Sequence, residues 1–323
     1  MNVFSTVVRT LAAVALLALA SATDAQQDYP NRPIRLIIPN PPGGSTTFYG
    51  RLFGQKLSEA LGQQVIVDNR GGGNGLIGGD ALAKSPPDGY TLEIVSSTHY
   101  LTPLLIPAPY DPIKDFTTVA AYARNETVLV VYPGLPAKNL RDFIALAKAK
   151  PGQLNYASSG GGSPLHLAGE LFELVAGVKM QHIPYKGGGP AVTDLIGGQV
   201  QLSFQTPIAV TAHVKGGRLR ALAITGKSRG LPQVPTFAEA GLAGYYGLAG
   251  YQGIVAPAGT PRAIVNKLSA EVAKIVASQD FIDKVTEQGA EPGYANPEQY
   301  GALVKTDTAR FAKLIKDANI KID

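Results

Sequence analysis

Apolar and polar positions along this chain fall into a repeated pattern. Three times a short apolar run gives way to a glycine-rich stretch and then to a segment with helical spacing. The first run is Ile34, Leu36, Ile37 and Ile38 around Arg35. Residues 39–45 follow, and then Tyr49, Leu52, Phe53, Leu57, Ala60 and Leu61 at helical intervals. The second run is 154–157, followed by Ser158, Ser159, Gly160, Gly161, Gly162 and Ser163 and a helix opened by Pro164. The third is 181–184, followed by 185–189 and a helix opened by Pro190. Further strands are predicted over 65–67, 90–95, 128–131, 200–204, 219–225 and 253–256, and helices over 77–83 and 140–149. Thr260 and Pro261 read as an N-cap and first helical residue, ahead of Ile264, Val265, Leu268, Val272, Ile275 and Val276 on one face. Asn296, Pro297, Glu298 and Gln299 read as a capping box that opens the last helix. Strands alternating with helices predict an α/β protein with mostly parallel sheets. Residues 230–253, rich in Pro, Gly and Tyr with weak periodicity, read as a connection between domains.

Each glycine-rich stretch sets unpaired backbone N–H groups at the positive end of a helix dipole. That arrangement suits an anion. The length of 323 residues allows two ordinary domains, and 16% charged residues with 45% hydrophobic ones exclude a disordered chain. Arg9 followed by an apolar stretch over 11–20 reads as a secretory leader cleaved near Ala25, because ten apolar residues are too few to span a bilayer. Export is therefore expected. The absence of cysteine means that the fold stands without disulfides or thiolate metal sites. The net charge is +5, and cleavage removes Arg9 and Asp24, one of each sign, so it stays +5. The basic residues are scattered and not interleaved with aromatics, which argues against a nucleic-acid partner.

Other motifs are weaker. Gly73, Gly75 and Gly78 fit G-x-G-x-x-G, but five residues separate the strand from the first glycine, too many for a dinucleotide turn, so a structural turn is the better reading. His166 and Glu170 are four apart and Ser163 stands three before His166. A metal pair or a nucleophile and base is conceivable there. However, His99, His166, His182 and His213 are far apart, and neither H-E-x-x-H nor G-x-S-x-G occurs. Ser163 as a helix N-cap is the stronger reading. Lys186 reads as a counter-ion or as a solvated lysine. Tyr49, Tyr100, Tyr185 and Phe204 read as pocket walls or as core.

Several ordered motifs carry a resemblance. They include Tyr29-Pro30 through Pro39 with Pro42-Gly43-Gly44, Pro87-Asp88-Gly89-Tyr90, Tyr110-Asp111-Pro112, Lys150-Pro151-Gly152, His166-Leu167-Ala168-Gly169-Glu170, Pro184-Tyr185-Lys186-Gly187-Gly188, Ala256-Pro257-Ala258-Gly259-Thr260-Pro261 and Ile320-Lys321-Ile322-Asp323. With them the chain resembles the TctC or Bug receptors, the substrate-binding proteins of tripartite tricarboxylate transporters. The resemblance implies a two-lobe type II periplasmic binding protein, closing like a flytrap. Its lobes are expected at 28–124 plus 227–323 and at 125–226. It also implies a monomeric periplasmic receptor, without cofactor or metal, that hands a carboxylate to membrane permease subunits. A dicarboxylate is the expected ligand, with an aromatic one as a further option and a ligand sensor as the alternative role. No catalytic constellation supports an exported hydrolase. Carried over, the ligand loops hold Pro42, Gly43, Gly44, Ser45, Thr46 and Thr47, and Ser158, Ser159, Gly160, Gly162 and Ser163. Ser97, Thr98, His99 and Gln205 complete the expected site. Relatives usually carry acids where Thr47 and Gln205 stand, so two neutral residues facing the ligand would favour a second carboxylate.

Overall fold

The structure, a computed structural model, describes residues 29–40, 45–185, 187–247, 250–287 and 290–317. The expected leader, Pro42, Gly43, Gly44, Lys186 and the last six residues lie outside these.

The chain starts with β1 (Ile34–Ile38), α1 (Ser45–Leu61), β2 (Val65–Asn69), α2 (Leu76–Ala83), β3 (Thr91–Val95), α3 (Ser97–Leu105) and β4 (Phe116–Asn125). It continues with β5 (Val128–Val131), α4 (Leu140–Ala149), β6 (Asn155–Ser158), α5 (Pro164–Ala176), β7 (Gln181–Pro184), α6 (Gly188–Ile196), β8 (Leu202–Gln205), α7 (Pro207–Lys215) and β9 (Arg220–Ile224). It ends with β10 (Gly250–Pro257), α8 (Arg262–Ala277), α9 (Gln279–Glu287), β11 (Glu291–Ala295) and α10 (Pro297–Asp317).

Two sheets result, in the orders β11-β4-β10-β3-β1-β2 and β7-β6-β8-β5-β9. Parallel pairing holds inside the βαβ units, where β1 pairs with β2 and β3 and β6 pairs with β7 and β8. The remaining pairs are antiparallel: β10 with β3 and β4, β11 with β4, and β5 with β8 and β9. The expected parallel character is therefore confined to the βαβ units, and both sheets are mixed.

Side chains alternate across each strand, so every sheet has two apolar faces. Ile34, Leu36 and Ile38 face Phe53, Leu268 and Phe281, whereas Ile37 faces Val95, Val255 and Tyr300 on the other side. In β5, Leu129 and Val131 meet Phe143 and Phe172, and Val128 and Val130 meet Ala191 and Leu195. Two helices reach from one half to the other: α3, with Tyr100 in one core and Leu101 in the other, and α10. α10 has 21 residues, about 31 Å at 1.5 Å per residue. Its Tyr300 and Val304 pack in the first sheet's core, and its Phe311 and Leu314 in the second sheet's core.

Several boundaries differ from the sequence expectation. α6 begins at Gly188, two residues before Pro190, because Gly187 takes φ 115° as its cap. α8 begins at Arg262 with Pro261 as cap, and the Thr260 hydroxyl donates to Pro257 O instead. The capping box at α10 holds: Gln299 N donates to Asn296 Oδ1 and Asn296 N to Gln299 Oε1. Residues 230–253 do run from β9 to β10. They are more than a connection, since Phe237 and Tyr245 are buried in the second sheet's core.

Candidate functional site

A cavity of about 330 Å³ opens between the two sheets, and five helices begin on it. α1 brings Thr46, α3 brings Ser96, Ser97 and Thr98, and α5 brings Pro164 and Leu165. α6 brings Gly188 and Gly189, and α7 brings Thr206 and Ala209. A helix N-terminus carries up to four N–H groups without a helical acceptor and about +0.5 elementary charge. Directed at one space from both sheets, five of them make the enclosure positive. Among the described residues no Lys or Arg lines the cavity.

The caps divide into two kinds. Ser163 caps α5, its hydroxyl accepting from His166 N at 3.3 Å. Ser96 and Thr206 hold the extended backbone of an N-cap, yet neither hydroxyl bonds its own helix. Both line the cavity and can turn to a ligand. Gln252 in β10 also faces it. Its Oε1 accepts from Tyr122 at 3.2 Å, so its amide N–H groups are the donors left over.

Of the expected residues, Thr46, Ser97, Thr98, Ser159 and Gln205 line the cavity. Ser45 opens α1. Thr47 does not line it; it is buried one helical step from Thr46 and accepts from Asn69 Nδ2 at 3.5 Å. His99 is also off the cavity. It is buried, 3.4 Å from Glu93 and packed against Tyr100, Tyr110 and Phe116. The helix explains the miss: two residues turn it by about 200°, so His99 points away from Ser97. Ser158, Gly160, Gly162 and Ser163 form the wall behind Ser159, with their polar groups engaged among themselves and with two histidines. Tyr49, Tyr100 and Phe204 lie in apolar cores, and among the described residues no aromatic ring lines the cavity. The option of an aromatic ligand thus loses the stacking partners it relied on.

Sequence reasoning missed Ser96, Thr206, Gln252 and Glu126. The signal for Thr206 was present, because Thr206-Pro207 has the same cap-and-proline form as Thr260-Pro261. Glu126 is the one charged residue on the cavity among those described. It stands where the chain passes from β4 to β5, with 4% of its side chain exposed. Arg124 Nε lies 2.9 Å from its Oε1, and the Thr225 hydroxyl donates to its other oxygen. Burial raises its pKa above the ordinary carboxylate value, against the pull of Arg124. A Cβ on Gly226 would lie 2.5 Å from Glu126 Oε1, so glycine leaves room for the carboxylate between the two crossing segments.

Ser163, His166 and Glu170 do not form a nucleophile and base. The Ser163 oxygen serves the His166 backbone, and His166 Nδ1 accepts from Gly162 N at 2.9 Å.

Comparison with known proteins agrees with this geometry. The family model of the tripartite tricarboxylate transporter family receptor matches residues 50–320. Protein BugT of Bordetella pertussis is 38% identical over 314 residues, covering 96% of each chain. An R. palustris protein solved with adipate is 38% identical, with TM-score 0.78, over 92% of this chain and all of that one. MatC of Rhodopseudomonas palustris, solved with bound malate, is 30% identical, with TM-score 0.72, over 89% of this chain and all of that one. The chain belongs to the TctC family of solute-binding receptors, which are not enzymes.

Proposed function

We propose that the chain is a periplasmic receptor that captures a small dicarboxylate between two lobes and delivers it to the permease of a tripartite tricarboxylate-type transporter. The single observation that carries this reading is the convergence of five helix N-termini on one cavity. Anions are bound there by backbone N–H groups and dipoles, with Ser96, Thr206 and Gln252 adding neutral donors. A cavity of about 330 Å³ suits a short aliphatic acid. The relatives solved with adipate and with malate support the same class.

The lobes in this reading are 28–124 with 227–323, and 125–226. The sheet of β1–β4, β10 and β11 belongs to the first and that of β5–β9 to the second. One lobe offers two of the five helix N-termini and the other three, so the ligand favours the closed arrangement by joining both.

Thermal shift against linear mono-, di- and tricarboxylates tests the proposal. A ligand at about a hundred times its dissociation constant adds roughly 2.7 kcal/mol of stability. Dicarboxylates are expected to give the largest shift. No shift from any acid, with shifts from neutral or cationic solutes instead, would remove the proposal.

A further inference from the structure

Behind Ser159 lies a partly buried polar cluster that does not line the cavity. The imidazoles of His166 in α5 and His182 in β7 stack face to face, with centroids 3.8 Å apart and planes 7° apart. Each is joined to the 158–163 loop. His166 Nδ1 accepts from Gly162 N at 2.9 Å. His182 Nε2 lies 2.6 Å from Ser158 Oγ. That hydroxyl in turn accepts from Gly160 N at 3.1 Å and donates to Gly160 O at 3.0 Å. Two loop amides that could have met an anion are therefore spent on holding the loop. Gly160 and Gly162 take φ 131° and 69°, which only glycine adopts without strain, so the loop needs outside contacts to stay in this form.

The Gly162 contact fixes the tautomer. Its N–H is the donor, so Nδ1 is bare and the proton of neutral His166 sits on Nε2. Nε2 points to Glu170 Oε1 at 3.4 Å, which also accepts from Tyr156 at 2.6 Å. The titratable groups around the pair are Tyr156 from β6, Glu170 and Glu173 from α5, and His182 from β7. Burial disfavours the Glu170 carboxylate, but hydrogen bonds from His166 and Tyr156 outweigh it and hold its pKa below the ordinary value. Burial and then the neighbouring His166 bring His182 down to about 4.

From this geometry we propose that His166 is a positioning residue for ligand capture: as a neutral acceptor it holds the Gly162 amide and so fixes the loop that carries Ser159 to the cavity, and a proton on its Nδ1 releases that loop. A protonated Nδ1 would face the Gly162 N–H donor to donor. The stack beside it resists a second positive ring, and Glu170 accepts a single one. Acid therefore loosens the loop and weakens capture. The consequence rests on the receptor reading given above, because it takes the loop as part of the ligand site.

Three variants of the full mature chain separate the roles. H166F keeps a ring in the stack and removes the acceptor. H166N keeps an acceptor near the Nδ1 position and cannot be charged. H182F removes the Ser158 contact. Calorimetry with adipate and malate would follow affinity from about pH 8 to about pH 5, the range over which histidines in proteins change charge. Hydrogen-exchange protection of the Gly162 amide would be read in the ligand-free protein. In the wild type, affinity and Gly162 protection are expected to fall together on acidification. H166F should lose about tenfold in affinity at pH 8, the scale of one lost hydrogen bond, and H182F should lose less. H166N should keep near-wild-type affinity at pH 8 and lose less of it on acidification than the wild type does, because Glu126 and the ligand's own carboxyls still titrate. Wild-type affinity in H166F, or an unchanged acid loss in H166N, would overturn the proposal. If H166F did not fold, H166N would decide it. If the wild type bound neither acid, the receptor reading would be the one in difficulty, and Gly162 protection would still decide whether His166 holds the loop.

Discussion

The junctions at 158–163 and at Thr206 both lead a strand into a helix at the same cavity, but they spend their polar groups in opposite ways. In 158–163 the Ser163 hydroxyl caps α5, the Gly162 amide meets His166 and the Gly160 amide meets Ser158. At Thr206, and equally at Ser96, the cap hydroxyl is uncommitted by its own helix. A glycine-rich sequence is therefore a signature of backbone shape, since it permits the positive φ values of a tight approach. The cap hydroxyls left available at the cavity come from the plainer junctions, Ser96 and Thr206. In the same way, Gln205 and Thr47 look alike as neutral replacements for acids, yet one lines the cavity and the other is buried beside Asn69.

The largest effect should come from breaking this last pair. Gln205→Asp places a carboxylate against a bound anion, a repulsion of about 4 kcal/mol at roughly 4 Å and an effective dielectric of about 20. Dianion affinity is expected to fall by more than that of a monoanion; Gln205 is itself buried and its Nε2 donates to Ser203 Oγ at 2.9 Å, so some stability is lost as well. Thr47→Asp instead buries a charge away from the cavity, and should cost roughly 3 kcal/mol of stability at neutral pH. Calorimetry and melting of the two variants would contradict the comparison if both altered selectivity alike.

Next come the caps. S96A and T206V each remove a hydroxyl of a residue that lines the cavity; if the hydroxyl meets a carboxylate, each is expected to weaken binding by about 1.5–3 kcal/mol while leaving the melting temperature nearly unchanged. S163A should do the reverse, costing about 1 kcal/mol of stability with a smaller effect on binding. A melting loss in T206V equal to that in S163A would show that Thr206 is an ordinary cap after all.

The smallest effect concerns Glu126, whose pKa burial raises against the pull of Arg124. Between the unfolded and the folded pKa the native state holds more of the proton, so this group makes stability fall as pH rises through that window. E126Q removes the slope, and its stability relative to wild type should increase from acid toward neutral pH. Urea unfolding of both at several pH values checks this; a difference that decreased with pH would reverse the sign.

Much of the fold was legible because its strongest signals were local. Ile34–Ile38 and Val128–Val131 are wholly or nearly apolar because both of their faces are covered, and the Asn296–Gln299 capping box worked as its residues suggest. β4 escaped because its buried centre is Val119, Ala120, Ala121, Tyr122 and Ala123; alanine carries little strand preference, and its role there is set by close packing between β10 and β11. α3 escaped because Ser97, Thr98 and His99 carry no apolar period at its start. That also put His99 in the expected site although it faces Glu93 in the core. The lining of the cavity was legible to within one residue at Ser96 and Thr206. Gln252 was out of reach, because only tertiary structure brings β10 to the cavity and sets Tyr122 on its carbonyl oxygen.

The most direct test of the central claim, that helix N-termini hold a carboxylate between the sheets, is calorimetric titration of the mature protein with adipate and malate and with their uncharged diamides. The account predicts that at least one acid binds and that its diamide, of nearly the same size, does not. Equal binding of an acid and its diamide would contradict it.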